Sequence, residues 1–321
     1  MRALITGIAG FAGSHLADHL LALGDIEVCG VSLPSDGTRN VAHILPRIEM
    51  HLADLSDYRG VVDLLKTIRP DYVFHLAAQA SVRRAWSNPA GTLVTNVTLQ
   101  LNLLQAIIEL GLAPRILVVG SADEYGMVRP EDLPVDEDTP LRPANPYAVS
   151  KLTQDYLGYQ YHLSHGLHIV RVRPFNHIGP RQGLGFVVPD FCQQIARIEA
   201  GIQEPVMRVG NLSARRDFSD VRDIVRGYYL ALAKGKPGQV YNLGSSRACS
   251  IQDILDRLVG MTDVPVRVEN DPERMRPSDV PEIVCNSRRF RDDTGWEPEY
   301  DIAQSLREAL DYWREQVRAA S

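Results

Sequence analysis

The sequence predicts an α/β fold with a doubly wound parallel sheet, followed by a smaller C-terminal α/β part. Short apolar runs alternate with helical patterns through the first half, and a glycine-rich turn directly follows the first run. Strands that alternate with helices favour parallel pairing. The length of 321 residues is enough for one large domain or two.

The strands and helices follow from these patterns in chain order. Apolar runs predict strands at residues 3–6, 27–32, 71–76, 115–120, 168–173 and 240–243. Helical patterns predict helices at residues 14–23, 95–110, 147–162, 217–232, 251–261 and 303–319. In residues 95–110 leucine and isoleucine recur at i, i+3 and i+4, which is typical of an amphipathic helix.

The composition changes near residue 175, where the chain becomes richer in Gly, Pro and Arg. We therefore expect a dinucleotide-binding domain at 1–175 with return segments near 217–245. Residues 176–216 and 246–321 should mainly form a substrate-binding domain. The sequence contains no internal repeat and no low-complexity linker, so the two parts should pack tightly.

The charge balance excludes several classes of partner. Thirty-four Lys and Arg against 40 Asp and Glu give a net charge of −6, and the pI is about 5.9. This balance provides no basic surface for nucleic acid or an anionic membrane. The apolar share of 45% and charged share of 23% are those of an ordinary globular chain.

Cysteine usage and the N-terminus indicate the compartment. Cys29, Cys192, Cys249 and Cys285 lie far apart without a CxxC pair, so neither a disulfide framework nor a metal site is expected. The sequence begins with a strand and a glycine turn rather than a signal peptide. No uninterrupted apolar stretch approaches the roughly 20 residues of a membrane helix. We expect a cytoplasmic protein.

The glycine-rich turn is the first motif that carries chemistry. Gly7, Gly10 and Gly13 follow a predicted strand and open a predicted helix. Such glycines permit a tight turn and close approach of the backbone to a pyrophosphate, whose charge meets the helix N-terminus. The alternative is a plain strand–helix turn, because two residues separate the first glycines rather than one.

A tyrosine and a lysine form the second motif. Tyr147 and Lys151 are four residues apart and project from one helix face. A nearby ammonium favours the phenolate form of tyrosine, so Tyr147 would exchange protons near neutral pH. Alone, the pair also fits a solvated helix surface.

The third motif is Gly120-Ser121-Ala122-Asp123-Glu124-Tyr125-Gly126, at the C-terminal end of a predicted strand. Open α/β sheets bind ligands at such ends, where Ser121 would hydrogen-bond a substrate oxygen. The alternative is a serine and two acids that cap a turn.

Together these residues resemble the extended short-chain dehydrogenase/reductase family, in its nucleotide-sugar branch. The resemblance covers nearly the whole chain, with motifs in the family order: Gly7/Gly10/Gly13, Asp54-Leu55, His75-Leu76-Ala77-Ala78-Gln79, Asn96, Ser121, Tyr147/Lys151 and Arg173-Pro174-Phe175-Asn176. Three later segments resemble the GDP-sugar members: Gly210-Asn211-Leu212, Arg216-Asp217-Phe218 and Arg276-Pro277-Ser278-Asp279-Val280.

The resemblance implies a Rossmann-type sheet and assigns roles residue by residue. Ser121, Tyr147 and Lys151 would act on the substrate oxygen beside a nicotinamide, with Asp123 as an additional acid. The cofactor-binding residues would be Gly7, Gly10, Phe11, Ala12, Gly13, Ser32, Arg39, Asp54, Leu55, Leu76, Ala77, Ala78, Gln79, Asn96, Tyr147 and Lys151. The substrate-binding residues would be Ser81, Asn176, Asn211, Arg216, Arg276 and Asp279, with the arginines on the diphosphate.

The choice of cofactor depends on the end of the second strand. An acid there would bind the ribose 2′-hydroxyl and repel a 2′-phosphate, whereas this sequence has Val31-Ser32-Leu33. NADP(H) is therefore favoured and NAD(H) stays compatible. Arg39 in the following loop would reach the phosphate, or else lie in solvent.

The reaction depends on Asp123. The dehydratases of this branch carry a glutamate where this chain has Asp123, which is one methylene shorter, and Ala122 replaces its polar neighbour. A misplacement of about 1 Å can cost about a hundredfold in rate, so elimination should be inefficient. The sequence most resembles the reductases that convert GDP-4-keto-6-deoxymannose to GDP-rhamnose with NADPH.

The alternatives to the reductase are a GDP-mannose 4,6-dehydratase, a nucleotide-sugar 4-epimerase and a non-catalytic dinucleotide sensor. The retained Ser121, Tyr147 and Lys151 argue against the sensor. The resemblance also implies a homodimer, in which the helices at 95–110 and 147–162 form a four-helix interface. Those helices would equally pack within one subunit.

Overall fold

The computed structural model of the protein describes residues 1–274 and 280–320. In this part of the chain the strands are β1 (Arg2–Thr6), β2 (Glu27–Ser32), β3 (Glu49–Leu52), β4 (Tyr72–His75), β5 (Arg115–Val119), β6 (Ile169–Pro174), β7 (Asn176–Ile178), β8 (Val206–Val209), β9 (Arg215–Asp220), β10 (Val240–Leu243), β11 (Ala248–Ser250), β12 (Arg267–Asn270) and β13 (Glu282–Ile283). The helices are α1 (Phe11–Leu23), α2 (Tyr58–Ile68), α3 (Val82–Ser87), α4 (Pro89–Glu109), α5 (Pro146–His165), α6 (Val187–Glu199), α7 (Val221–Lys234), α8 (Ile251–Val259), α9 (Arg288–Thr294) and α10 (Ile302–Ala320).

Seven parallel strands form the large sheet, in the order β10-β6-β5-β4-β1-β2-β3. The chain builds one side of the sheet from β1 to β3 and then crosses to the other side of β1 with β4. The predicted doubly wound α/β fold is confirmed. The strand order reverses between β1 and β4, and open α/β sheets bind ligands at the carboxyl ends of the strands near such a point.

Both faces of the large sheet are covered by helices. Successive β1 residues point to opposite faces, so Leu4 and Ile5 belong to different buried clusters. Ile5 packs in the cluster that includes side chains of α1 and α7, and Leu4 in the cluster that includes side chains of α2 and α4. Full burial of such a side chain contributes roughly 1.5–3 kcal/mol.

The C-terminal part forms smaller sheets and a core of its own. Strands β11, β9 and β13 pair in that order, β7 pairs with β9, and β12 pairs with β8. A third buried cluster, which includes Phe191, Met207, Leu255 and Leu310, joins α6, α8 and α10 to these strands. The smaller α/β part is thus present, and the domain limits predicted above stay a prediction.

One predicted helix begins too early. Residues 217–220 belong to strand β9, and helix α7 begins at Val221. The buried Asp217 carboxylate accepts hydrogen bonds from the backbone N–H groups of Ser245 and Ser246, both at 2.9 Å. Asp220 caps α7 by accepting from Arg222 N–H at 2.8 Å. The polar residues that resembled a helix start are a strand end and a cap.

Helix α4 is long and apolar enough to meet a test for membrane-spanning helices, although no such helix was predicted from the sequence. The helix has 21 residues and contains an 18-residue window with a mean hydropathy of 1.2, so by length and composition alone it is able to cross a membrane. A core helix of a soluble protein passes the same test. Leu103, Leu104 and Ile107 of α4 are fully buried in the cluster beneath β4 and β5, which accounts for the apolar composition of that face.

Candidate active site

The glycine turn between β1 and α1 forms a cradle that larger residues would fill. Gly7 has φ +73°, in the left-handed region, and a Cβ there would lie 3.1 Å from the backbone of Ala77. A Cβ on Gly13 would lie 2.3 Å from the Gly7 carbonyl oxygen. Gly10 caps α1 without a side chain, so the first N–H groups of the helix are available to an anion. These features fit a dinucleotide pyrophosphate.

The next residues of the turn connect the cradle to the C-terminal part. The ring of Phe11 stacks on that of His177, with centroids 5.7 Å apart and planes 9° apart. Ala12 packs against the large core cluster. Strand β7, which contains His177, is therefore held directly beside the cradle.

The residues after β4 line the opposite side of the turn. Thr6 Oγ1 accepts hydrogen bonds from the backbone N–H groups of Leu76 (3.2 Å) and Ala77 (3.1 Å). Ala77 and Ala78 are half-buried, and the backbone N–H of Gln79 donates to Asn96 Oδ1 at 2.7 Å. These contacts place the predicted residues at the carboxyl end of β4.

Asn96 makes its side-chain hydrogen bonds within the protein. Its side chain is fully buried, and its amide nitrogen donates to the Gln79 carbonyl oxygen at 3.2 Å and to Ser150 Oγ at 2.9 Å. Asn96 therefore orients the loop that carries Gln79, and its role in cofactor binding stays a prediction.

An acid that the sequence analysis did not consider, Asp36, lies beside the end of β2. Asp36 folds back, so that its carboxylate accepts hydrogen bonds from Ser32 Oγ and from the Leu33 N–H, both at 3.2 Å. Arg39, expected at the same place, instead lines a groove with Arg197 and Trp313. The two donors at the end of β2 thus already bind an anionic group. A proline followed by Ser35 and Asp36 is the sequence feature that could have predicted a turn bringing Asp36 back to Ser32.

Asp54 and Leu55 follow β3 and differ in burial. Leu55 is buried in the second core cluster. Asp54 is exposed, and its carboxylate accepts from the Ser56 N–H at 2.8 Å. Of the two, only Asp54 presents a polar side chain to a bound molecule.

The catalytic candidates meet at the carboxyl end of β5. Helix α5 begins at Pro146 and is capped by Asn145, which accepts from the Ala148 N–H at 2.8 Å. The cap places Tyr147 in the first turn and Lys151 one turn later. Ser121 hydrogen-bonds to Tyr147, and Lys151 Nζ donates to the Val119 carbonyl oxygen at 2.9 Å. The three predicted residues are brought together.

The pKa of Tyr147 is raised, whereas the sequence predicted that the Lys151 ammonium would favour the phenolate. Burial raises its pKa above the ordinary value, the Asp123 carboxylate raises it further, and the Ser121 hydrogen bond only partly opposes this. Burial lowers the pKa of Lys151 to about 8, with Glu124 acting in the opposite direction. Lys151 is bound to a carbonyl oxygen and does not lower the pKa of Tyr147 here. At neutral pH the phenol is therefore protonated.

Beneath this group lies a network of buried charges. The Arg173 guanidinium is 2.7 Å from Asp155 Oδ2, and its Nε donates to Glu124 Oε2 at 3.1 Å. Arg171 pairs with the other oxygen of Asp155 at 2.5 Å. Sequence reasoning missed Glu124 as a functional residue, although Ser121-x-x-Glu124 is the pattern of a helix capping box.

The predicted substrate residues are spread over several elements. Ser81 caps α3 and accepts from the Arg84 N–H at 3.2 Å, and Asn176 is exposed at the start of β7. Asn211 Oδ1 accepts from the Ser213 N–H at 3.0 Å, and Arg216 lies on β9. Arg276 and Asp279 lie outside the described residues.

A group of possible metal ligands lies at the other end of the sheet. Glu27, Cys29 and Glu49 come together at the amino ends of β2 and β3. Arg2 ion-pairs with both carboxylates, at 3.0 and 2.7 Å, so one of the two negative charges is balanced. All four cysteines are free thiols.

A doubly wound sheet with a glycine cradle and a Ser–Tyr–Lys group at its carboxyl edge defines an oxidoreductase of the short-chain dehydrogenase/reductase type. Comparisons with known proteins show which family of such oxidoreductases the chain belongs to. The family model of GDP-mannose 4,6 dehydratase matches residues 4–309. The chain therefore belongs to the GDP-mannose 4,6-dehydratase family of nucleotide-sugar enzymes.

Three similar proteins illustrate the range of this group. GDP-6-deoxy-D-mannose reductase from Pseudomonas aeruginosa is 37% identical over 99% of this chain and 98% of its own length. The structure of RMD from Pseudomonas aeruginosa complexed with NADPH has a TM-score of 0.86 at 35% identity, over 98% of this chain and 99% of that one. UDP-glucose 4-epimerase from Thermus thermophilus in complex with NAD has a TM-score of 0.87 at 29% identity, over 98% and 99%.

Proposed function

We propose that this protein reduces the 4-keto group of GDP-4-keto-6-deoxy-D-mannose to GDP-D-rhamnose with NADPH, with Tyr147 as the proton donor. The hydrogen-bonded pair of Ser121 and a protonated Tyr147, beside Lys151 at the carboxyl end of β5, carries the proposal. Reduction consumes one hydride at C4 and one proton at O4, so the residue beside O4 must begin as an acid. Burial and the Asp123 carboxylate keep the phenol in that form. The similarity to the Pseudomonas aeruginosa reductase supports the same reaction.

The residues present fit a nicotinamide dinucleotide. Gly7, Gly10 and Gly13 would hold the pyrophosphate, and Ala77 and Lys151 would lie by the nicotinamide ribose. When bound, the reduced cofactor supplies the hydride. Ser32 Oγ and the Leu33 N–H would bind a 2′-phosphate after replacing Asp36, and the NADPH complex of the similar structure supports NADPH. NAD(H) stays compatible.

On the substrate side, Ser121 and Tyr147 would bond the O4 atom, and Ser81 and Asn176 would contact the sugar. Arg216 would bind the diphosphate, with Arg276 in the same role by resemblance, and Asn211 and Asp279 would contact the substrate. The guanidinium suits a diphosphate because its planar donors pair with two oxygens at once.

A dehydratase is the second candidate, because the carboxylate of Asp123 lies close enough to raise the pKa of Tyr147. A dehydratase needs a base to remove the C5 proton before the C6 hydroxyl leaves. The match to the dehydratase family model points the same way.

The deciding experiment gives the purified protein GDP-mannose with NADP, and separately GDP-4-keto-6-deoxymannose with NADPH or NADH, in deuterated water. A reductase converts only the keto sugar and leaves C5 free of deuterium. Asp123→Asn removes the base but keeps shape, so we expect reduction within about tenfold of wild type, or ~1.4 kcal/mol of barrier. Consumption of GDP-mannose with deuterium at C5, abolished by Asp123→Asn, would establish the dehydratase instead.

We also propose a homodimer formed through α4 and α5. Val94 on α4 is 65% exposed, and Tyr156 and Leu163 on α5 are 54% and 64% exposed. Large apolar side chains on two adjacent helices favour a partner surface, and a twofold axis would bring four such helices together. Light scattering should give twice the chain mass, and the mass of a single chain at micromolar concentration would contradict the dimer.

A further inference from the structure

A buried acid stands directly behind the proposed catalytic serine. Glu124 lies in the short 3₁₀ segment Ala122–Tyr125 and is fully buried. Its Oε1 accepts the backbone N–H of Ser121 at 2.7 Å, and Ser121 Oγ accepts the N–H of Asp123 at 3.1 Å. The two hydrogen bonds form a reciprocal capping box that fixes the backbone of Ser121.

The other oxygen of Glu124 ties this segment to the rigid part of the fold. Arg173 on β6 donates to Glu124 Oε2 at 3.1 Å and also pairs with Asp155 on α5 at 2.7 Å. Tyr147, Lys151 and Asp155 follow each other at four-residue spacing on that helix. Glu124 therefore links Ser121 to the same helix that carries Tyr147.

The space around Glu124 is built for a side chain of this length. A Cβ on Gly120 would lie 2.3 Å from Glu124 Oε1 and 3.2 Å from the Val172 carbonyl oxygen. Glycine at this position leaves room for the carboxyl group to reach the Ser121 N–H. An aspartate, one methylene shorter, would not span from its own backbone to both Ser121 and Arg173.

The reach of Glu124 and its charge are separate properties. Burial and the neighbouring Asp155 raise the pKa of Glu124 well above its ordinary value, although Arg173 opposes them. The amide of glutamine has the same reach, and its single oxygen is able to accept from the Ser121 N–H. Its NH2 group would then face Arg173 and Asp155, where it is able to donate to Asp155 but no longer accepts from Arg173.

We propose that Glu124 is a positioning residue that aims Ser121 at Tyr147 through its length and its hydrogen bond. The proposal rests on the proposed function only in giving Ser121 a role at the reacting oxygen. It holds for the reductase and for the dehydratase alike. Small displacements matter here, because an error of about 1 Å in an active site can cost about a hundredfold in rate.

Two substitutions separate reach from charge. Glu124→Gln keeps the length and the acceptor, and we expect kcat within about threefold of wild type. Glu124→Asp keeps the acid but loses the reach, and kcat should fall at least about tenfold while the KM for NADPH changes less than about twofold. If Glu124 served only to balance charge, the order of the two variants would be reversed.

Tyr125→Phe is the matched control. Tyr125 is the next residue of the segment, and its hydroxyl accepts from Arg173 at 3.1 Å and donates to Asn242 Oδ1 at 2.6 Å. Removing this hydroxyl loosens the other side of the Arg173 network without touching Ser121. We expect a lower melting temperature than wild type and an unchanged kcat.

Three results would overturn the assignment. The first is a Glu124→Asp variant with wild-type kcat, and the second is an equal loss of kcat in Tyr125→Phe. The third is a failure of both Glu124→Asp and Glu124→Leu to fold while Glu124→Gln folds, which would make Glu124 a folding residue. Wild-type protein without turnover on either GDP-sugar would instead contradict the proposed function alone.

Discussion

Replacing Tyr147 by phenylalanine should abolish most turnover and leave cofactor binding intact. The substitution removes only the hydroxyl that Ser121 bonds and that would deliver the proton to the sugar oxygen. General acid catalysis of this kind typically contributes 10²–10⁴-fold, so kcat should fall by roughly that factor. Fluorescence titration with NADPH should give a dissociation constant within about twofold of wild type, because the ring and its packing stay in place.

The matched control for this variant is Tyr228→Phe. Tyr228 is a buried tyrosine in the large core cluster and, like Tyr147, has a pKa raised by burial. It should keep near-wild-type turnover. A Tyr147→Phe enzyme with wild-type kcat would remove Tyr147 from the mechanism.

Lys151→Met should lose turnover and also weaken cofactor binding. Methionine fills the buried channel but lacks the ammonium that now donates to the Val119 carbonyl oxygen. The ammonium would also bond the nicotinamide ribose, so the dissociation constant for NADPH should rise about tenfold or more, the effect of losing one hydrogen bond from a charged group. Calorimetry on the variant and on wild type measures this change directly.

The pH dependence follows from the same residue. Burial lowers the pKa of Lys151 to about 8, so the charged form is complete below that value and is lost as the pH rises through it. NADPH affinity of wild type should therefore weaken above pH 8, and that of Lys151→Met should not. An unchanged dissociation constant in Lys151→Met would limit the lysine to another role.

The strand pattern and the motif spacing were sufficient for six of the seven strands of the large sheet and for bringing the catalytic candidates together, whereas β3 was not predicted. Ser121, Tyr147 and Lys151 come from two elements that a parallel sheet brings to one edge, so the sequence order and the fold class together placed them. The pKa of Tyr147 was not predictable in the same way. It depends on how deeply the ring is buried and on carboxylates from another segment.

Hydrogen bonds between side chains distant in sequence were the other limit. Asn96 matches its motif, yet its amide is used by Gln79 and Ser150 across 17 and 54 residues of sequence. Arg39 and Asp36 are both in the loop after β2, and only the folded chain shows which of them returns to Ser32. Hydrophobic periodicity predicts which face of a helix or strand is buried, but it does not predict which polar side chain hydrogen-bonds to which backbone or side-chain group.

The carboxylate of Asp36 has a consequence for repeated turnover. A reductase must release oxidised cofactor and take up reduced cofactor in every cycle, whereas a 4-epimerase keeps its cofactor between cycles. When a 2′-phosphate leaves Ser32 Oγ and the Leu33 N–H, the Asp36 carboxylate would take its place. Asp36 is only four residues from Ser32 in the same turn. Such a site gives up affinity for the phosphate and gains rapid exchange of the cofactor.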